Sequence, residues 1–307
     1  MGKIAFLFAG QGAQYSGMGK SLYESSAAAK ALYDAAETVR PGTMAQSFEG
    51  TAEELKRTEN TQPCLYLVDL AAALALEEAG IRADGAAGFS LGEIAALAFA
   101  DIYSPVDGFR VVTLRGKLMQ EAAEQADTAM CAVVKLDAET VAQTAAQFAQ
   151  LYAVNFNCPG QTVVSGLSSS MPEFTAKIKE LGGRCIPLAV SAAFHSPFMA
   201  DAAAQFGEYL AGESFNVPRI PVYANLNAQP YAADSIAETL GQQMCNPVRW
   251  QTTIENMIAD GYTDFIEVGA GKTLSGLVKK ISADVRIYNV DSAETLAETV
   301  KAVQEIC

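Results

Sequence analysis

The stretch Gly88-Phe89-Ser90-Leu91-Gly92 is the one G-x-S-x-G pentapeptide of the chain, and its surroundings predict the fold. Residues 86–87 before it are typical of the end of a buried strand, and residues 93–100 after it are typical of a helix. Ser90 would then occupy the sharp strand-to-helix turn known as a nucleophile elbow. Flanking glycines let such a turn bend tightly because they carry no Cβ atom. The alternative is an ordinary glycine-rich turn without chemistry.

A second residue strengthens the first interpretation. A serine nucleophile needs a base, usually an imidazole, and the sequence contains a single histidine, His195. It follows the apolar run 186–190 and precedes a helix predicted to open at Ser196-Pro197. His195 would therefore also lie at a strand-to-helix junction, which is where α/β proteins build their sites. A lone histidine is more often structural, so this hypothesis depends on its meeting Ser90 in the fold.

Composition excludes several classes of function. Half of the 307 residues are hydrophobic and 18% are charged, as expected for a soluble globular protein of one large domain or two unequal ones. The net charge of -14 leaves no basic stripe for nucleic acid. No run approaches the roughly 20 apolar residues of a membrane span. The six cysteines show neither C-x-x-C spacing nor histidine companions, so we expect no metal, no cofactor and reduced thiols in a cytoplasmic protein.

Two glycine-rich segments imitate phosphate-binding loops without completing the motif. Segment 10–14 follows a predicted buried strand at 3–10, but a dinucleotide fingerprint would need glycine where Tyr15 stands. Its backbone N–H groups could instead serve an oxyanion. Segment 269–273 would need glycine where Ile266 stands, although the helix N-terminus at Lys272 could still favour an anion.

The order of predicted elements indicates an α/β fold with an insertion. Helices are predicted at 19–39, at 52–58, at 63–80 with Pro63 in first position, and at 105–125. Residues 130–190 follow the order β-α-β-β-α-β, which is the ferredoxin-like arrangement. We therefore expect an α/β-hydrolase-like catalytic subdomain with a parallel sheet (1–127 and 191–307) and an inserted ferredoxin-like small subdomain (128–190). The active site would lie at their junction.

Arg115 occupies an unusual position in the helix predicted at 105–125. It lies on the apolar stripe, with Val111 four residues before it and Met119 four residues after it. A buried guanidinium without an anion costs several kcal/mol. Three explanations remain open at this point: an internal salt bridge, a stem that carries the charge to the surface, or a ligand-binding role.

Taken together, these motifs resemble those of the bacterial malonyl-CoA:acyl carrier protein transacylases, and the resemblance covers nearly the whole chain. The segments that carry it are Phe8 to Gln14, Thr61-Gln62-Pro63, Ser90 with Glu93, Arg115-Gly116 with Met119-Gln120, Asn157 with Pro159-Gly160-Gln161, Phe194 to Pro197, Asn246-Pro247-Val248 with Trp250, and Glu267-Val268-Gly269 with Gly271-Lys272.

The resemblance implies ping-pong acyl transfer, in which Ser90 takes a malonyl group from malonyl-CoA and passes it to acyl carrier protein, with His195 as the base. It further implies an oxyanion hole from the backbone N–H groups of Gln11 and Leu91, and a substrate carboxylate bound by Arg115. The remaining roles that it implies are a substrate pocket and a backbone carbonyl that orients the histidine; these residues are Met119, Phe194, Phe89 and Gln62 for the pocket and Arg249 for the carbonyl.

Two positions depart from the family pattern. Phe89 stands where histidine usually precedes the serine, and Arg249 stands where glutamine is frequent. Two other functions share the serine and the histidine: a trans-acting polyketide-type acyltransferase, and a serine thioesterase or esterase. We expect a monomer that binds the acidic carrier through a local basic patch, with Lys272, Lys279, Lys280 and Lys117 as candidates.

Overall fold

Two β-sheets organise the chain in the computed structural model, which describes residues 2–190 and 192–305. The nine strands of this part of the chain are β1 (Lys3–Phe8), β2 (Gly85–Gly88), β3 (Thr128–Val134), β4 (Leu151–Cys158), β5 (Gln161–Leu167), β6 (Arg184–Pro187), β7 (Val222–Tyr223), β8 (Tyr262–Val268) and β9 (Arg286–Val290).

Thirteen α-helices surround the sheets within the same described residues. They are α1 (Lys20–Ser25), α2 (Ala27–Val39), α3 (Thr43–Glu49), α4 (Thr58–Glu78), α5 (Gly92–Phe99), α6 (Pro105–Ala123), α7 (Ala138–Ala145), α8 (Met171–Glu180), α9 (Ala200–Ala211), α10 (Ile236–Gln243), α11 (Trp250–Ala259), α12 (Thr273–Ile281) and α13 (Ala293–Gln304). No helix of the described chain combines the length and the apolar character that crossing a membrane requires.

The larger sheet is entirely parallel, in the order β7-β2-β1-β8-β9. Its central strand β1 is buried on both faces, because Phe6 and Phe8 pack into one apolar cluster while Ala5 and Leu7 pack into another. The register pairs Phe8 with Gly88 and with Val268, so three strands end at the same edge. The loops that follow these strands therefore meet there.

The smaller sheet is antiparallel, in the order β4-β5-β3-β6. Helices α7 and α8 cover one face of it through a separate apolar cluster that includes Val133, Phe174 and Ile178. This is the predicted β-α-β-β-α-β unit, and together with the parallel sheet it confirms the predicted fold class.

The structure corrects several predicted element boundaries. Helix α4 begins at Thr58, five residues before Pro63, which lies inside the helix. The Thr58 N–H donates to Gln120 Oε1 at 2.8 Å, so a side chain of α6 caps α4, and this tertiary contact leaves no local signal. The helix predicted at 19–39 divides at Ser26, whose side chain accepts from the Ala29 N–H and caps α2.

Two other elements are shorter than predicted. The helix expected at 52–58 is a 3-10 turn at Glu54–Lys56, with reciprocal hydrogen bonds between Thr51 and Glu54 at its start. The last strand of the unit predicted at 130–190 is β6, which ends at Pro187, and residues 188–190 lie along a cavity instead.

The elbow between β2 and α5 requires its glycines. A Cβ atom on Gly88 would lie 2.0 Å from the carbonyl carbon of Gly92, and one on Gly92 would lie 2.3 Å from Phe8 O. Ser90 between them has φ 54°, in the left-handed region that non-glycine residues adopt rarely. The turn is therefore strained and held by its surroundings.

We expect Gly88→Ala to lower the free energy of unfolding by about 3 kcal/mol, because the added methyl group overlaps backbone that cannot move away. Urea denaturation followed by circular dichroism measures the change. Gly276→Ala is the matched control, since a Cβ atom there meets open space on α12 and should stabilise the protein by roughly 0.5–1 kcal/mol. Equal effects of the two substitutions would contradict the packing argument.

Candidate active site

Asn225, in the loop after β7, holds the elbow through hydrogen bonds to its backbone. Its Oδ1 accepts from the Ser90 N–H at 2.7 Å, and its Nδ2 donates to Gly88 O at 2.7 Å. Its own N–H donates to Glu93 Oε2 at 3.1 Å. Asn225 is fully buried. A side chain 135 residues away in sequence therefore holds Ser90 in its strained conformation, and no sequence motif indicated it.

Ser90 and His195 meet at the carboxyl edge of the parallel sheet. Ser90 Oγ lies 2.8 Å from His195 Nε2, although 105 residues separate them. His195 Nδ1 lies 3.0 Å from Gln243 O and 3.2 Å from Asn246 O. Carbonyl oxygens only accept, so Nδ1 carries the proton, and Nε2 is left to accept the proton of the Ser90 hydroxyl. The pair has the geometry of a nucleophile and its general base.

The carbonyl that orients the histidine is not that of Arg249, which corrects the expectation from the sequence. Arg249 immediately precedes α11, and its carbonyl accepts from the Thr253 N–H at 2.9 Å and from the Thr253 hydroxyl at 3.0 Å. Its side chain turns outward, with Nε donating to Leu226 O at 3.0 Å. Gln243 and Asn246 supply the carbonyls instead.

Arg115 brings a fully buried positive charge to the same place. Its Nη2 donates to Ser90 Oγ at 3.1 Å and to Gln243 Oε1 at 2.6 Å, and its Nη1 donates to Gln62 Oε1 at 2.9 Å. Among the described residues no carboxylate forms an ion pair with it, and its Nε has no hydrogen-bond partner. Of the three explanations for this arginine, the internal salt bridge and the solvent-exposed charge are therefore wrong.

Glu93, in the first turn of α5, is a buried acid that is connected to Arg115 by hydrogen bonds through the side chain of Gln243. Gln243 Nε2 donates to Glu93 Oε2 at 2.9 Å, and the Tyr231 hydroxyl donates to Glu93 Oε1. Burial raises the pKa of Glu93 to about 7, against hydrogen bonds that lower it. Burial lowers the pKa of Arg115 to about 10, while the charge of Glu93 opposes the change. The guanidinium therefore stays charged at neutral pH.

Comparison with known proteins assigns the chain to a family. The acyl transferase domain family matches residues 5–301. This chain is an acyl transferase. The malonyl CoA-acyl carrier protein transacylase of Bacillus subtilis (strain 168) is 40% identical, with 99% of this chain and 98% of that protein covered.

Two solved structures of similar proteins share the fold of this acyl transferase. The malonyl CoA-acyl carrier protein transacylase of Clostridium perfringens superposes with a TM-score of 0.95 at 35% identity, covering 99% of this chain and 98% of the other. A malonyl-transacylase in complex with a type II PKS acyl-carrier protein gives a TM-score of 0.94 at 33% identity, covering 98% and 99%.

In this acyl transferase, a cavity of about 400 Å³ opens between the two sheets. Most residues proposed from the sequence line it, while the side chain of Arg115 lies behind its wall. Lining residues from the predicted set are Ser90, His195, Gln11, Gln62, Phe89, Met119 and Phe194, and those not predicted include Lys56, Met130, Asn155 and the segment 188–190. The small sheet thus contributes directly to the cavity, through β3 and β4.

The two backbone donors expected at an oxyanion hole are free. Within the described chain neither the Gln11 N–H nor the Leu91 N–H has a hydrogen-bond acceptor. Leu91 directly follows Ser90 and immediately precedes α5, and Gln11 lies in the loop after β1. Both segments leave the edge of the sheet at which Ser90 stands, so these donors remain available to a developing negative charge.

Phe89 lines the cavity and packs against the aromatic residue that begins α11. Its ring lies edge-to-face on Trp250, with the centroids 5.4 Å apart. The site therefore has an apolar wall at the position directly before Ser90, and His195 is the one imidazole of the chain.

Burial is the larger of two effects that lower the pKa of His195 to about 4, and the positive charge of Arg115 is the second. Hydrogen bonds to the carbonyls of Gln243 and Asn246 oppose the change. The imidazole is consequently neutral at physiological pH, and it can act as a base without first losing a proton.

We expect the His195 imidazole to show no protonation between pH 7.5 and 5.5, because its charged form is disfavoured by burial and by Arg115. The protein has one histidine, so its imidazole resonance in a proton NMR titration needs no assignment. Replacing Arg115 by Met should raise the pKa toward that of a free histidine, whereas Lys301→Met at the distant surface should not change it. A midpoint near 6.5 in the unmodified protein would contradict this electrostatic description.

Proposed function

We propose that this acyl transferase moves a malonyl group from malonyl-CoA to the phosphopantetheine thiol of acyl carrier protein, through a malonyl ester on Ser90, in fatty acid synthesis. The observation that carries the proposal is a buried guanidinium, that of Arg115, which lies 3.1 Å from Ser90 Oγ and forms no ion pair with a carboxylate of the described residues. A substrate that supplies a carboxylate beside its reacting carbonyl fits this site. The names of the relatives agree with that substrate.

The first half-reaction needs no rearrangement of Ser90 and His195, which already form a hydrogen bond. His195 Nε2 removes the hydroxyl proton as Ser90 Oγ attacks the thioester carbonyl, and the N–H groups of Gln11 and Leu91 stabilise the oxyanion. Collapse of this intermediate breaks the carbon–sulfur bond, and the imidazolium returns its proton to the departing CoA sulfur. The products are the malonyl ester of Ser90 and free CoA.

The second half-reaction runs the same steps with a different thiol. His195 Nε2 removes the proton of the phosphopantetheine thiol, and the sulfur attacks the ester carbonyl of malonyl-Ser90. The ester bond breaks, and the imidazolium protonates Ser90 Oγ. Gln243 O and Asn246 O hold the imidazole in the same tautomer throughout, and they stabilise its charged form in place of a carboxylate.

Arg115 selects the acyl group. A guanidinium pairs with a carboxylate through two parallel hydrogen bonds, so a malonyl group neutralises the buried charge. An acetyl group would leave that charge unpaired in the interior, which is costly. The side chains of Met119, Phe194, Phe89 and Gln62 would bound the space for the three-carbon acyl group.

The placement of the cavity supports the division of the chain into two subdomains. Residues 1–127 and 191–307 would form the catalytic subdomain, and residues 128–190 the small one. Met130, Asn155 and Leu188 reach the cavity from the small subdomain, while Ser90 belongs to the catalytic one. The small subdomain would thus cover the dyad and limit the access of water to the ester.

For the carrier, the proposed docking surface is helix α12, which has lysines at both of its ends. Lys279 and Lys280 lie in its last turn and Lys272 precedes its first residue. Helix α12 packs against β4, whose Asn155 lines the cavity. Lys117 is a weaker candidate, because Glu121 lies 3.8 Å from its Nζ. We further propose that the enzyme is a cytoplasmic monomer that binds neither nucleic acid nor membrane.

A polyketide carrier is the second candidate for the acceptor. One structural relative was solved with a type II PKS acyl-carrier protein, and it resembles this chain as strongly as other transacylases do. The two functions share every chemical step at Ser90 and differ in the identity of the carrier.

Intact-protein mass spectrometry after brief incubation with malonyl-CoA, and separately with acetyl-CoA, tests the proposed function. We expect a malonyl adduct that is absent from Ser90→Ala, and we expect Arg115→Ala to reduce malonyl loading by at least about 100-fold while acetyl loading changes little. Release of free malonate without any adduct would contradict transfer and indicate a hydrolase.

Charge reversal at both Lys279 and Lys280 should raise KM for the acidic carrier by about tenfold without changing malonyl loading from CoA, because these residues lie away from the dyad. Steady-state transfer to the purified carrier measures the effect. Lys301→Glu on α13 is the control, and an unchanged KM in the double variant would exclude this docking surface.

A further inference from the structure

Gln62 stands between Arg115 and the cavity. Arg115 has no exposed surface, and the neighbouring side chains that do line the cavity are Gln62, Ser90 and Met119. Gln62 Oε1 accepts a hydrogen bond from Arg115 Nη1 at 2.9 Å. A carboxylate that binds Nη1 from the cavity must therefore replace the amide oxygen of Gln62.

The two glutamines that accept hydrogen bonds from Arg115 differ in the other hydrogen bonds that their amides make. The Gln243 amide is anchored on its other side, since Nε2 donates to Ser90 O at 2.8 Å and to Glu93 Oε2 at 2.9 Å. The Gln62 Nε2 has one partner among the described residues, Met119 Sδ at 3.3 Å. A thioether sulfur is a weak acceptor, so among the described residues the guanidinium is the one strong hydrogen-bond partner of the Gln62 amide.

We propose that Gln62 is the exchangeable occupant of the carboxylate subsite, and that the incoming acyl carboxylate displaces its amide oxygen from Arg115. Gln243 remains bound to Nη2 through the exchange and keeps the guanidinium in place. This inference rests on the proposed function, because it assigns a specificity role to one residue of the same site.

The exchange is favourable for one class of acyl group. A carboxylate bonds a guanidinium more strongly than a neutral amide does, because it is charged and its two oxygens can accept from the adjacent donors of Nη1 and Nη2. An acyl group without a carboxylate offers nothing in return for the lost contact, so Gln62 stays on Arg115. Gln62 thereby accepts a hydrogen bond from the buried guanidinium in the empty enzyme, and it is displaced by acyl groups that carry a carboxylate, such as malonyl.

Gln62→Met tests the displacement directly, because methionine has a similar length but no oxygen to be displaced. We expect the inhibition constant of free malonate and the KM for malonyl-CoA to fall about threefold or more, and the preference for malonyl-CoA over acetyl-CoA in kcat/KM to rise. If Gln62 were instead a fixed ligand of the malonyl group, both constants would rise, and this result would overturn the proposal.

Gln62→Glu is the complementary variant, because its carboxylate would occupy Arg115 permanently. We expect kcat/KM for malonyl-CoA to fall by at least about 30-fold, and the preference for malonyl-CoA over acetyl-CoA to fall by about tenfold or more. Parallel losses for both substrates would show general damage to the site and overturn the proposal.

Wild-type loading separates this inference from the proposed function. A malonyl adduct on wild-type Ser90, combined with a weakened Gln62→Met variant, would reject the exchange and leave transfer intact. The absence of any adduct on the wild-type protein would reject both.

Discussion

The site depends on one positive charge in the interior, that of Arg115, which no carboxylate of the described residues contacts directly. Removing a guanidinium from water costs several kcal/mol unless nearby groups recover it, and no acidic side chain of the described chain pairs with it directly. The surrounding polar groups are arranged accordingly. Two glutamine oxygens and the Ser90 hydroxyl accept its hydrogen bonds, and Glu93 stabilises it from behind Gln243.

Gln243 connects the base, the cation and the elbow of the site. Its backbone carbonyl accepts from His195, its side-chain oxygen accepts from Arg115, and its side-chain nitrogen donates to Ser90 O and to Glu93. One residue thus orients the base, the cation and the elbow together. Because Asn225 also connects Ser90 to Glu93, the dyad belongs to a single buried polar network, and such networks are rigid when their members are satisfied.

The sequence predicted the fold class and the main chemistry for identifiable reasons. Ser90 lies in a local motif with a strand before it and a helix after it, and His195 has no competitor in the chain. Arg115 was conspicuous because its position on an apolar stripe conflicts with its charge. Each of these signals is local or a matter of counting, so each can be seen without the fold.

The remaining features depend on contacts that no local pattern encodes. Gln243 and Asn225 lie 153 and 135 residues from Ser90. In the sequence, nothing distinguishes them from glutamine and asparagine residues at a protein surface. The carbonyl assigned to Arg249 was wrong because α11 begins immediately after it and uses that oxygen. Glu93 could have been suspected, since it is an acid in an otherwise apolar helix.

A crystal structure of the malonyl-enzyme, trapped by brief exposure of the crystals to malonyl-CoA, would show whether Arg115 binds the malonyl carboxylate. The expected result is an ester on Ser90 Oγ whose carboxylate lies about 3 Å from two nitrogens of Arg115. A malonyl carboxylate that points into solvent or toward Lys56 at the cavity wall, with Arg115 still bound to its present partners, would contradict it.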